Sequence, residues 1–151
     1  MSILTLAQAK AHLRIDGSAS DADLLQKIEA AERAAVDYIG CDLYEEDYEL
    51  AEAIAAVPAE LAAAKAVYDA SYAAALLIAD AELSAMEQEY AATVYARAVY
   101  AATRTRHGVV MNDTIRAGIL LILGWLFEVR EDGESMPRAA RDLLHAYRCY
   151  A

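Results

Sequence analysis

Hydrophobic positions recur at helical spacing along nearly the whole chain. Leu6, Ala9 and Leu13 form one stripe, so the pattern predicts a first helix over about residues 5–15. Thr5 stands where an N-cap hydroxyl is needed, and Gln8 follows at capping-box distance. Asp16-Gly17-Ser18 breaks the run. Leu24, Ile28, Ala31, Ala35 and Ile39 mark a second helix over about residues 20–39. Ser20 opens it as N-cap, Asp21 and Asp23 suit the positive end of its dipole, and Gly40 supplies a left-handed stop.

From Cys41 to Val57 the periodicity fades into an acidic, Tyr-containing stretch, read as loop with room for a short helix. Pro58 suits the first position of a new helix, with Glu60 in its first turn. Leu61, Ala64, Tyr68, Tyr72, Ala75 and Ala79 then keep helical spacing. Ser84 and Glu87 offer a further capping box, and Tyr90, Val94, Ala98 and Ala101 carry the stripe to Arg104 and Arg106, with Gly108 as the stop. Two helices reversing near Asp80-Ala81-Glu82-Leu83 give an antiparallel hairpin over about residues 58–106. One unbroken rod over the same residues is the competing reading. Small alanine faces let two such helices approach closely, and the hairpin is expected to stand apart from the main core.

Asn112 or Asp113 caps the next helix, over about residues 113–131, with Ile115, Ile119, Ile122, Leu123 and Leu126 at its heart. Between Ala117 and Phe127 its apolar residues occupy nearly every face, which predicts burial on all sides. Gly133 ends it. Pro137 opens a last helix over about residues 137–150, with Leu143, Leu144 and Tyr147 on one side and Arg138, Arg141 and Arg148 elsewhere. The predicted architecture is all-α. A compact bundle of the first, second, apolar and last helices forms a single domain carrying a long Ala-rich hairpin insertion.

Composition sharpens this picture. Alanine, the strongest helix former, dominates a chain of 151 residues, enough for one core without a staple. Cys41 and Cys149 lack any metal or redox spacing and read as ordinary thiols of a reducing cytoplasm. No basic, apolar leader opens the chain, so it is expected to stay in the cell that makes it. The longest apolar run is too short to span a bilayer, and no membrane role is expected. A net charge of -11 disfavours gripping nucleic acid phosphates, while leaving room for DNA to slide past.

Candidate chemistry is sparse. No phosphate-binding glycine loop, nucleophile elbow or zinc-protease motif is present. Asp142 and His145 form a lone pair where a metal needs three or four converging ligands. His12 and His107 have no sequence-near acid or nucleophile to orient them as bases. Glu45, Glu46, Asp47 and Glu49 lack the register and glycine of a calcium loop and read as a solvated acidic face. Tyr90, Tyr95 and Tyr100 are five apart and wind around their helix, which suits packing better than base stacking. An enzyme is not expected, and neither a cofactor nor a metal.

Three segments resemble the head-tail connector (adaptor) proteins of long-tailed phages. The first runs from Thr5 through Lys10 and Leu13-Arg14-Ile15-Asp16, the second from Ser20-Asp21-Ala22-Asp23-Leu24-Leu25 to Tyr38-Ile39-Gly40, and the third from Ile115 to Glu131. In the closing motif of the third, Gly124, Glu128, Arg130 and Glu131 match, whereas Trp125, Phe127 and Val129 replace the family's His, Tyr and Asn. These are packing changes in a structural motif. The resemblance covers the first forty or so residues and those after Asn112.

It implies a structural virion protein of the neck, assembled in the bacterial cytoplasm. Such proteins form a homo-oligomeric ring, usually a dodecamer, that docks on the portal after packaging. The ring extends the channel through which genomic DNA passes without sequence-specific binding, and it offers a surface to a stopper or tail-completion protein. The C-terminal segment commonly reaches toward the portal, which makes Arg138, Arg141, Leu143, Leu144, Tyr147, Arg148 and Tyr150 the candidate portal contact. Ile119, Ile122, Leu123, Trp125, Leu126 and Phe127 are the candidate core and assembly residues. Two other classes stay open: a small helical regulatory or toxin-neutralising protein acting as monomer or dimer, and a helical-bundle enzyme with an inconspicuous site.

Overall fold

A computed structural model describes residues 3–128 and 136–149. Among them six helices and one pair of very short strands occur: α1 (Leu6–Leu13), α2 (Asp21–Ile39), β1 (Leu43–Tyr44), α3 (Asp47–Ala75), α4 (Ala81–Arg106), β2 (Val109–Val110), α5 (Asp113–Glu128) and α6 (Arg138–His145). The all-α class is as the periodicity predicts. The chain divides into two compact units, one of residues 1–47 with 108–151 and the other of residues 48–107.

The caps show why the helices start and stop where they do. Thr5 Oγ1 accepts the Gln8 amide at 3.2 Å, and the Gln8 side chain accepts the Thr5 amide at 2.9 Å, completing the capping box. Arg14 takes the left-handed conformation that ends α1, and Gly40, at φ +83°, does the same for α2. Ser20 occupies the N-cap of α2 without a side-chain cap hydrogen bond. Asn112, not Asp113, caps α5, its Oδ1 accepting the amides of Thr114 and Ile115 at 3.0 Å. The predicted end of that helix near Glu131, its stop at Gly133 and residues Val129 and Arg130 lie outside the described residues.

The first unit has one core. Leu4, Ala9, Leu24, Ile28, Ala31, Ala35, Ile39, Cys41, Ile115, Ile119, Ile122, Leu123, Ala140 and Leu144 are all buried in it. Helix α5 packs on α2 and α6, with α1 laid across both α2 and α5. Burial on all sides of α5 does not hold. Ile115, Gly118, Ile119, Ile122 and Leu123 are buried, whereas Leu120, Leu121, Trp125, Leu126 and Phe127 are half-buried. The neighbouring helices of this small unit close over one face of α5 and only flank the rest. Gly118 marks the tightest approach, because a Cβ there would sit 2.9 Å from Leu144 Cγ.

Two further differences concern residues 41–57 and the last helix. Strand β1 pairs in parallel with β2, Leu43 opposite Val109 and Tyr44 opposite Val110, a non-local pairing with no local sequence signature. Helix α3 already begins at Asp47, so Pro58 lies inside it. The ring removes one amide that would bond the Ile54 carbonyl, at a cost of about 3 kcal/mol. The alanine-rich turns on both sides, and Val57 fully buried beside the proline, carry the helix through. Helix α6 ends at His145, earlier than expected, and its following residues turn back so that the Cys149 amide donates to the Ile39 carbonyl at 2.8 Å.

In the second unit the helical run breaks between Ala75 and Ala81, so a hairpin and not a single rod forms. Asp80 Oδ1 accepts the Leu83 amide at 2.9 Å and caps α4. Ser84 does not form the expected second capping box. Its hydroxyl donates to the Ala75 carbonyl at 2.8 Å, tying the two helices across the turn. Away from the turn the helices do not interlock backbone to backbone along alanine faces. Tyr68 and Tyr95 meet between them, ring centroids 5.4 Å apart.

Since, among the described residues, the buried core cluster of the first unit is made of residues before 48 and after 107, and β1 and β2 bring the flanking chain together, replacing residues 48–107 by a short Gly/Ser linker is expected to leave a cooperatively folding remainder. Near-UV circular dichroism and a urea melt test this. A molten product that binds hydrophobic dye would place the hairpin in the core.

Candidate interaction site

Helix α6 is sharply two-sided. Ala140 and Leu144 are fully buried against α2 and α5, and Leu143 and Tyr147 are half-buried. Arg138 and Arg141 stand exposed on the opposite side, followed beyond the helix by exposed Arg148. Arg138 pairs loosely with Asp142, Nε to Oδ2 3.8 Å, and the Arg148 guanidinium lies 5.2 Å from the Tyr38 ring centroid. The helix thus presents a basic surface from an acidic chain. It divides the sequence candidates: Leu144 belongs to the core, Arg138, Arg141 and Arg148 are exposed, and Tyr150 lies outside the described residues.

The α5 candidates divide in the same way. Ile119, Ile122 and Leu123 are fully buried, whereas Trp125, Leu126 and Phe127 are half-buried at the rim, where Lys27 Nζ lies 4.9 Å from the Phe127 ring centroid. That rim leaves apolar area partly uncovered while the buried face holds the unit together.

Glu32 is a feature that sequence reasoning missed. It sits on the core side of α2, only 9% exposed, and its Oε1 accepts the amides of Ile3 at 2.8 Å and Leu4 at 2.6 Å. The charged acceptor pins the chain ahead of α1 and seats Leu4 in the core. A glutamate at a core position of the α2 stripe was the available signal.

His12 and His107 are exposed, as is His145. Among the described residues no group of three or more His, Cys, Asp or Glu side chains is placed to hold a metal, and no helix is long and apolar enough to cross a membrane. Lys65 on α3 is held above its usual pKa by its hydrogen bond to Asp69, against a smaller desolvation effect, and its pairing is local to the helix surface.

Among the described residues, a basic amphipathic helix and half-covered apolar faces are the conspicuous surface features of this all-helical fold. Residues 3–72 match the family model of phage gp6-like head-tail connector proteins. The span takes in α1, α2, β1 and most of α3, so it runs well past the first forty residues. The resembling segment from Ile115 to Glu131 lies beyond it. No curated protein and no solved structure is significantly similar to the chain.

Proposed function

We propose that this protein is a subunit of the connector ring in a phage neck, docking on the portal, extending the DNA channel and receiving a stopper or tail-completion protein on its far side. The observation that carries the reading is the connector match over residues 3–72. The chemistry of the surface supports it. A rotationally repeated contact between unlike faces closes a ring, and the half-buried rim of α5 provides apolar area for one such face. A net charge of -11 suits a channel that must not grip DNA.

The portal contact falls to the exposed basic side of α6. Deleting residues 137–151 would also remove Leu144 from the core, so charge reversal is the cleaner test. The variant Arg138→Glu, Arg141→Glu, Arg148→Glu is expected to keep its helical circular dichroism while binding purified portal at least about tenfold more weakly, as loss of interface arginines does. Unchanged binding would move the contact elsewhere. Absence of the protein from mature particles, with no ring on isolated portal by electron microscopy, would favour a regulatory role and sink the connector reading.

A further inference from the structure

Cys41 and Cys149 stand more than a hundred positions apart and share no motif, yet the fold brings them to one place. Gly40, left-handed at φ +83°, ends α2 and turns the chain, and Cys41 then enters the core of the first unit fully buried. From the other direction the chain leaves α6 through two tight turns, the Tyr147 amide donating to the Leu144 carbonyl at 3.1 Å and the Arg148 amide to the His145 carbonyl at 3.2 Å. They deliver Cys149 to the end of α2. Its amide donates to the Ile39 carbonyl at 2.8 Å, and its carbonyl oxygen lies 3.1 Å from where a Cβ on Gly40 would stand.

Both backbone groups of Cys149 therefore meet the two residues that immediately precede Cys41. One Cα step, about 3.8 Å, leads from Gly40 to Cys41, and a disulfide joins Cα atoms about 4.4–6.8 Å apart. Cys149 also packs against the buried cluster that contains Cys41. Its Sγ lies 3.8 Å from the Tyr147 carbonyl, a weak thiol hydrogen bond that a turn about χ1 gives up at small cost. The structure holds the pair as two thiols, Cys41 buried and Cys149 half-buried. That difference in access sets an order of reaction: Cys149 meets an oxidant first, and Cys41 resolves.

We propose that Cys41 and Cys149 form a reversible intramolecular disulfide when the protein meets a disulfide oxidant such as glutathione disulfide, tying the segment after α6 to the end of α2. The Cys149 thiolate attacks one sulfur of the oxidant, forms a mixed disulfide and releases one glutathione thiolate. The Cys41 thiolate then attacks Cys149 Sγ, closes the Sγ–Sγ bond and releases the second glutathione. Two electrons pass to the oxidant, and the two protons lost by the cysteines end on the two glutathione thiols. A reducing thiol runs the steps backward. The closed loop exceeds a hundred residues, where a cross-link restricts the unfolded chain most. Arg148, beside Tyr38, is held in place by the same tie.

The test incubates the full chain with glutathione disulfide, blocks remaining thiols with an alkylating agent under denaturing conditions and reads intact mass. The expected product is a monomer lighter by two hydrogen atoms, carrying neither glutathione nor alkyl groups, with the Cys41 and Cys149 peptides joined in a non-reducing digest. Its Tm should exceed that of the reduced chain by about 5–15 °C and return on reduction. Cys149→Ser keeps the core thiol and should show no change in Tm under the same treatment. Cys41→Ala, which lacks the resolving thiol, should retain glutathione on Cys149. A parent chain that keeps both thiols would overturn the proposal. So would one that accumulates glutathione on Cys149 as Cys41→Ala does, or one that links into dimers and leaves no oxidised monomer. The portal takes no part in these measurements, so their outcome is separate from that of the connector reading.

Discussion

Ile122→Ala is expected to lower the free energy of unfolding by about 2–5 kcal/mol, the cost of deleting a buried branched side chain plus the cavity it leaves. Ile122 is fully buried on the face of α5 that packs against α2 and α6. Little room exists for collapse around it, since α5 and α6 are already so close at Gly118 that a methyl group there would strike Leu144. A domain of this size holds about 5–15 kcal/mol in total, so the loss is a large share of what keeps it folded. Leu126→Ala, half-buried on the same helix, should cost clearly less. Urea melts with matched m-values measure both. Equal losses at the two positions would mean that α5 is buried all round after all.

Glu32→Ala should cost about 1.5–3 kcal/mol, the value of hydrogen bonds to a charged acceptor whose loss leaves partly buried donors unpaired. Two amides, those of Ile3 and Leu4, depend on one carboxylate oxygen, and Leu4 is 2% exposed. Glu32→Gln keeps an acceptor of the same shape without the charge and should recover a good part of the loss. Glu29→Ala, on an exposed position of the same helix, is the control and should change little. Hydrogen exchange at the Leu4 amide reads the clamp directly. Unaltered protection in Glu32→Ala would mean that other contacts hold this segment.

The function rests on features of differing legibility. The connector resemblance was carried by three local strings of residues, the Thr5 to Asp16 run, the second helix and the Ile115 to Glu131 segment, and the family match falls on the first two. The basic side of α6 was visible as a concentration of arginine. Which of its apolar residues face a partner was not, because Leu143, Leu144 and Tyr147 look alike in sequence. The packing of α6 on α2 and α5 separates them, taking Leu144 into the core and leaving the other two at its edge.

While a hairpin and a single rod both fitted residues 58–106, the sequence by itself determined the all-helical class, the capping box at Thr5 and Gln8 and the left-handed stop at Gly40. Each depends on residues within a turn or two of one another, where propensity and backbone hydrogen bonding decide the outcome. Tertiary structure alone decided the rest. It runs α3 through Pro58, where full burial of Val57 beside the proline helps offset the one lost hydrogen bond. It pairs Leu43 and Tyr44 with Val109 and Val110, across more than sixty intervening residues. It buries one face of α5 instead of all, since side-chain hydrophobicity measures the preference for burial while the number of neighbouring helices limits how much is available. It opens a groove beside Tyr68 and Tyr95, where the alanine content suggested a close seam, because the bulk of two tyrosines meeting between the helices holds them apart.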